Sequence, residues 1–146
     1  MIDFHTFERV KLEDVAEYGR AKAGHVYPAG TSTLQISATR GQIGFLHVAS
    51  EVESKYAVII PQSGIDPLYF NYVMQKNVDW FVNRYKADIN IQESDIAEFP
   101  IEIHNGDTQS AVVAMLRQID AKADEAQHEL NVMRDFKKSM LDKMMV

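Results

Sequence analysis

The sequence predicts an α+β domain with a curled mixed sheet and short helices, followed by one long C-terminal helix. Strand signals are concentrated before Pro61, where short β-branched and aromatic segments are separated by glycines. Asp66-Pro67 combines an N-cap residue with a first-turn proline and predicts a helix start. From Asp107 to Met145 the chain has neither glycine nor proline. We therefore expect a folded domain at residues 1–105 and a long helix at residues 108–145.

The elements of the domain follow from local composition. Proline cannot continue a strand ladder, so Pro61 marks a strand end. Apolar periodicity after Asp66 predicts two short helices. The predicted strands or extended segments are residues 33–37, 43–49, 56–61, 88–91 and 98–103, and the predicted helices are residues 67–75 and 77–85.

The long helix has apolar residues at a/d positions over about four and a half heptads, with Lys137 filling one position. Asp107 or Thr108 is the expected cap. A helix of roughly 50–55 Å is longer than a domain of about 100 residues can cover, so we expect an antiparallel pair with a second copy. Docking of the stripe on its own domain is the alternative. The expected helix-pairing residues are Val112, Leu116, Ile119, Ala123, Ala126, Leu130, Met133, Met140 and Met144.

Charge and cysteine content limit the function classes. The formal net charge is −6, and residues 1–105 carry 9 Lys and Arg against 14 Asp and Glu. This balance argues against tight non-specific nucleic-acid binding, which depends on phosphate neutralisation. It leaves room for a DNA-binding subunit whose partners make most phosphate contacts. The absence of cysteine excludes disulfides and thiolate zinc sites, and it fits a cytoplasmic protein.

No pattern of catalytic or metal-binding residues is apparent. The five histidines lack metal-site spacing, and no Gly-x-Ser-x-Gly nucleophile motif occurs. Gly41-Gln42-Ile43-Gly44 indicates a turn between strands rather than a phosphate-binding loop. We expect no catalytic residue, no metal and no cofactor on this chain.

Residues 34–44 carry polar side chains around a predicted strand–turn–strand. Arg can bind guanine, Gln can bind adenine, and Ser and Thr can bind several base edges. A polar, solvent-facing turn is the alternative. The candidate base-contacting residues are Gln35, Ser37, Thr39, Arg40 and Gln42. The candidate phosphate contacts are Lys22, Arg84 and Lys86, with Arg20 and Lys55 as further candidates.

Five segments, in order along the chain, resemble the target-recognition domain and spacer helix of type I restriction–modification specificity (S) subunits. Two features depart from that family. The proline-rich step with a Glu-Gln pair before the spacer helix is reduced to Gln109, and the chain has one domain and one helix where full subunits have two of each. The resembling segments are residues 7–17 (FERVKLEDVAE), 36–44 (ISATRGQIG), 65–75 (IDPLYFNYVMQ), 90–101 (NIQESDI followed by FPI) and 136–144 (FKKSMLDKM).

The resemblance implies a half-length S subunit that recognises DNA without catalysis. In that family each recognition domain reads one half of a split target, and spacer helices pair antiparallel. Modification subunits dock on the helices and methylate adenine with S-adenosylmethionine that they bind themselves. The implied partners are double-stranded DNA, a modification (methyltransferase) subunit and a second copy of the chain, with no membrane.

Two other functions remain open from the sequence. The acidic domain is compatible with a non-DNA-binding interaction or regulatory protein that pairs by its helix with a specificity or modification subunit. A small enzyme whose site is not visible in the sequence is the third hypothesis.

Overall fold

The computed structural model describes residues 1–144, so Met145 of the predicted helix lies outside the described residues. The chain divides into two compact units, one at Met1–Ala111 and one that begins at Val112. The α+β class with a long C-terminal helix is confirmed. In chain order the elements are β1 (Glu8–Lys11), α1 (Leu12–Val15), β2 (Ala16–Arg20), β3 (Val26–Tyr27), β4 (Ser32–Gln35), β5 (Ile43–Phe45), β6 (Ser50–Glu51), β7 (Tyr56–Pro61), α2 (Pro67–Tyr85), a 3-10 helix (Glu93–Glu98), β8 (Pro100–Ile103) and α3 (Gly106–Met144).

The first unit is organised by a four-stranded sheet in the order β2-β7-β4-β5, accompanied by the strand pairs β1-β8 and β3-β6. Every strand pairing among the described residues is antiparallel, so the expected mixed sheet is replaced by three antiparallel sheets. The predicted strand at 56–61 has the expected bounds, whereas β4 ends early. Ile36 and Ser37 both donate their N–H groups to the Lys55 carbonyl, and this bulge-like pattern ends the ladder.

Helix α2 is continuous from Pro67 to Tyr85, so the expectation of two short helices was wrong. Its start is as predicted, because the Asp66 side chain accepts from the N–H groups of Leu68 (2.9 Å) and Tyr69 (3.3 Å). No glycine or proline interrupts the helix near Asn77. The Asn77 amide instead donates to the Pro100 carbonyl at 2.9 Å, which anchors the middle of α2 to β8.

The segment between α2 and α3 is less regular than predicted. Residues 88–91 were expected to be extended, but the only strand-like pairing there is a bridge between Ala87 and Asn90. The predicted strand at 98–103 is shortened to β8, because a 3-10 helix occupies Glu93–Glu98. β8 pairs with β1, so the first and last strands of the first unit are hydrogen bonded to each other.

Helix α3 begins at Gly106, before the predicted start. Asn105 is the cap instead of Asp107 or Thr108, because its Oδ1 accepts from the Thr108 N–H at 2.8 Å. Gln109 is only 4% exposed. Its Oε1 accepts from the Asp66 N–H at 2.9 Å, and its Nε2 donates to the His104 carbonyl at 2.8 Å. Gln109 therefore ties the first turn of α3 to the start of α2.

The helix continues without a break through Ala123 and has 39 residues, a length of about 58 Å. Every described residue from Arg117 onwards is exposed. None of the helices in residues 1–144 is both long and apolar enough to cross a membrane.

Candidate nucleic-acid interface

The antiparallel order of the four-stranded sheet brings four strand ends together. The carboxyl end of β2 lies beside the amino end of β7, followed by the carboxyl end of β4 and the amino end of β5. Arg20, Lys55, Ser37 and Gln42 lie at or beside these ends. The sheet therefore places candidates from distant parts of the sequence on one edge.

The loop between β4 and β5 exposes two of the predicted base-contacting residues, Arg40 and Gln42. The Arg40 N–H donates to the Gln42 side chain at 3.0 Å, so the two residues share one turn. Gly41 has φ +81°, a conformation that side chains disfavour, and a Cβ there would lie 3.4 Å from the Val82 side chain. The loop thus rests on the C-terminal half of α2, the end that carries Arg84.

Three other predicted residues have roles inside the loop. Thr39 is 3% exposed, and its hydroxyl accepts from the Gly41 N–H at 3.0 Å. The Gln35 amide donates to the carbonyls of Ser37 (2.9 Å) and Ala38 (3.2 Å). The Ser37 hydroxyl accepts weakly from Arg20, at 3.4 Å. These contacts shape the loop, and burial removes Thr39 from the set that can reach a base.

A second loop, which the sequence did not identify, supports the first. The Asn90 Oδ1 accepts from the Ala38 N–H, and the Ile89 carbonyl accepts from the Thr39 N–H, each at 2.9 Å. Ile91 donates to the Ile36 carbonyl at 2.9 Å. These bonds hold the segment after Lys86 against the Arg40 loop. Asp88 and Asn90 are residues typical of turns, and they are the signal in the sequence that points to this loop.

Within residues 1–105, the strand ends and loops just described differ in charge from the rest. We define the basic edge as residues 20–22, 35–42, 53–55 and 84–90. It contains six of the nine Lys and Arg but only two of the fourteen Asp and Glu, a charge of +4. The remaining residues carry three cations and twelve anions, a charge of −9. The acidic excess of the domain therefore lies outside this edge. The six cations are Arg20, Lys22, Arg40, Lys55, Arg84 and Lys86.

The cations of the edge differ in how they are engaged. Arg20 donates to the Ser54 carbonyl at 2.7 Å, and Lys55 lies 3.6 Å from the Glu53 carboxylate. Arg40, Arg84 and Lys86 are exposed, and no ion pair to them occurs within residues 1–144. Predicted Lys22 is also exposed, and its backbone N–H donates to the Tyr27 hydroxyl at 2.9 Å. The side chains of these four exposed cations are therefore available to a polyanion.

His104 has a structural role, since both of its ring nitrogens lie close to polar groups of the chain. His104 Nδ1 lies 2.7 Å from the Tyr69 hydroxyl, and Nε2 lies 3.2 Å from the Phe4 carbonyl. Burial raises the pKa of Tyr69, which keeps its phenol neutral. Within the described residues, no group of three or more His, Asp or Glu side chains could hold a metal ion.

Helix α3 presents a second, apolar surface. Of the predicted pairing residues, Val112 and Leu116 are partly buried and the other seven are exposed. The sequence interpretation missed Phe136, which is 67% exposed and lies three residues after Met133 and four before Met140. That spacing continues the apolar stripe past Lys137, where the heptad pattern alone is interrupted.

No protein-family model matches the sequence, and no curated protein matches it significantly. Solved structures do match in fold. A type I restriction–modification S subunit from M. genitalium has a TM-score of 0.70 at 10% identity, covering 86% of this chain and 42% of that one. The HsdS subunit from Thermoanaerobacter tengcongensis gives 0.65 at 13% identity, covering 86% and 40%.

A third solved chain comes from a study of complex assembly and conformational transition in the type I R-M system. It gives a TM-score of 0.68 at 15% identity and covers 88% of this chain and 43% of that one. The present chain thus spans about two fifths of the length of these structures. It therefore has the fold of a type I restriction–modification S subunit, over a little less than half of such a subunit.

Proposed function

We propose that the chain is a sequence-specific DNA-recognition subunit of a type I restriction–modification system that reads one half-site per chain. The basic edge carries this proposal, since it concentrates a charge of +4 on a domain whose other residues sum to −9. A polyanion binds at such an edge and is repelled by the remaining surface. The shared fold with S subunits supports DNA as that polyanion.

The loop at residues 37–42 contacts the bases. Arg40 donates to guanine O6 and N7, and Gln42 pairs with adenine N6 and N7. Arg84, Lys86 and Lys22 contact phosphates and set the register of the domain on the duplex. Gln35 and Ser37 hold the loop in shape through their hydrogen bonds.

Helix α3 mediates assembly of the subunits. Two copies pair antiparallel through the apolar stripe and recreate a two-fold arrangement that reads a symmetric split site. An antiparallel pair separates the Lys137, Lys138 and Lys143 cluster of one helix from its copy, whereas a parallel pair would juxtapose them. The paired helices dock modification subunits, which bind S-adenosylmethionine and perform the chemistry. The chain itself is not an enzyme and acts in the cytoplasm.

The direct test is Arg40→Ala in the complex with its modification subunit. Specific affinity should fall by about 1–3 kcal/mol, with relaxed preference at one base position, because the variant cannot form the bidentate hydrogen bonds to guanine. Selection from a randomised duplex library reports both effects. The matched control is Arg9→Ala, an exposed cation outside the basic edge, which should retain the selected sequence. Unchanged selectivity in Arg40→Ala would refute the assignment of this loop.

The −9 charge outside the basic edge favours a second candidate function. In this alternative the chain is a regulatory protein that pairs by α3 with a specificity or modification subunit without binding DNA. Binding to the modification subunit that leaves its DNA specificity unchanged would favour this alternative over DNA recognition.

A further inference from the structure

The turn at residues 87–90, on the basic edge, is a two-residue hairpin turn. Ala87 and Asn90 exchange backbone hydrogen bonds of 2.9 and 3.1 Å, which leaves only Asp88 and Ile89 at the tip. Asp88 has φ +60°, in the left-handed region that favours glycine. Aspartate is one of the few non-glycine residues that adopt this conformation readily, which suits it to this turn.

The facing recognition loop has the same property. Ala38, at φ +51°, and Asp88 are the only non-glycine residues with positive φ in the described part of the chain. Their loops are joined directly, because the Ala38 N–H donates to the Asn90 side chain and the Thr39 N–H to the Ile89 carbonyl. These hydrogen bonds therefore join the two loops and hold the 87–90 turn beside Arg40.

The Ile89 side chain is not part of the interior of the first unit. It is 54% exposed at the tip of the turn, three residues after Lys86. Its neighbours on the edge are suited to phosphates and polar base atoms, whereas an isoleucine is suited to an apolar contact. In the major groove, the apolar group offered by a base is the C5-methyl of thymine.

We propose that the 87–90 turn is a second base-reading element, in which Ile89 contacts the C5-methyl group of a thymine near the base read by Arg40. This inference rests on the proposed function and adds a specificity-determining residue to it. Asn90 is a positioning residue, since it acts by holding the Ala38 backbone.

The test uses the full chain in complex with its modification subunit, together with the duplex that the wild type selects from a randomised library. Each thymine of that duplex is replaced in turn by uracil, which removes only the C5-methyl. At one position the wild type should lose about fourfold in affinity, the effect of one buried methyl group. Ile89→Ala should bind the two duplexes equally.

Ile2→Ala is the matched control, because Ile2 is also 54% exposed but lies outside the basic edge. It should retain the wild-type preference for thymine over uracil. If no position discriminates in the wild type, or if Ile89→Ala still discriminates, the inference is overturned while the selected sequence continues to support the proposed function. If the wild-type complex selects no sequence, the proposed function itself fails and this inference fails with it.

Discussion

The first unit, Met1–Ala111, and the helical unit that begins at Val112 place their apolar side chains in opposite environments. In the first unit, Phe70, Phe81 and Phe99 are fully buried, and the surface concentrates its cations on one edge. In the helical unit, every described residue from Arg117 onwards is exposed, and these include the large side chains of the apolar stripe.

This difference indicates two kinds of recognition surface. The first unit is stabilised by its own interior, so its surface is free to carry charges that attract a polyanion. The helix has no interior of its own, and an exposed apolar stripe of this length is typical of a surface that a partner covers. Folding of the first unit and association of the helix should therefore respond to different substitutions.

The largest effect is expected from Leu116→Asp combined with Leu130→Asp. Leu116 is already partly buried and Leu130 is 44% exposed in the single chain, so the four leucines of the proposed pair contribute roughly 3 kcal/mol. Burying four unpaired carboxylates in their place adds a desolvation cost of at least the same size. The dissociation constant of the pair should rise by about four powers of ten or more. Sedimentation velocity over a range of concentrations measures this change.

Gln118→Asp with Val132→Asp is the matched control. Each position lies two residues after its counterpart and therefore on the other side of the helix, while the added charge is the same. The control should still associate. Equal dissociation of both variants would show that charge, and not the apolar stripe, governs pairing.

The next effect concerns the interior of the first unit. Phe81→Ala should lower its free energy of unfolding by about 3–5 kcal/mol, because the buried ring packs 4.6 Å from the ring of Phe99. Trp80→Ala, at the next position of α2, removes a side chain that is 56% exposed and should cost about 0.5 kcal/mol or less. Urea unfolding followed by circular dichroism compares the two, and similar decreases in stability would contradict the interior assigned here.

The smallest effect is pH-dependent. Burial raises the pKa of Glu102, but the Lys76 ammonium and the Asn77 amide, each 2.7 Å away, outweigh it and hold the pKa below its ordinary value of 4.5. A lowered carboxyl pKa stabilises the folded state above the ordinary value, and this contribution disappears as the pH falls through the lowered value. Solvent screens the interaction because the Lys76 side chain is exposed, so Glu102→Gln should cost about 1 kcal/mol or less at pH 7 and little in acid.

Urea unfolding at pH 7 and at pH 3 measures this difference. Glu8→Gln, at an exposed carboxyl on β1, is the control and should change stability little at either pH. A Glu102→Gln variant that is equally destabilised at both pH values would indicate a packing defect instead of a missing charge interaction.

Local signals in the sequence predicted the parts of the fold that depend on neighbouring residues. The Asp66 cap, the strand that ends at Pro61 and the uninterrupted long helix are of this kind. Long-range contacts decided the rest. Asn77, in the middle of the continuous helix α2, donates a hydrogen bond to β8. The 3-10 helix before Phe99 shortens the strand that follows it.

The candidate site shows the same division. Residue chemistry was sufficient to nominate Arg40, Gln42, Arg84 and Lys86, and the fold brings their segments to one edge. The sequence could not show that Thr39 is buried. The Thr39 N–H donates to the carbonyl of Ile89, which lies in a loop fifty residues further along the chain. The grouping of the cations likewise depends on long-range contacts. The antiparallel sheet order brings residues 20–22, 35–42 and 53–55 together, and hydrogen bonds from Ala38 and Thr39 add residues 84–90.

The central claim, that the basic edge of the first unit binds DNA, is tested most directly by two variants of equal net charge. One carries Arg40→Gln, Arg84→Gln and Lys86→Gln. The other carries Arg9→Gln, Arg117→Gln and Lys122→Gln, at exposed cations outside the edge. Both lower the net charge by three, and fluorescence anisotropy with a labelled random-sequence duplex, titrated across salt concentrations, compares them with the wild type.

If the edge binds DNA, its variant should bind more weakly, and the slope of log affinity against log salt should flatten by about 0.9 for each phosphate that the variant no longer neutralises. The other variant should bind as the wild type does. Equal weakening of the two variants would contradict the claim, because net charge alone would then account for binding, and so would an edge variant with unchanged affinity and salt dependence.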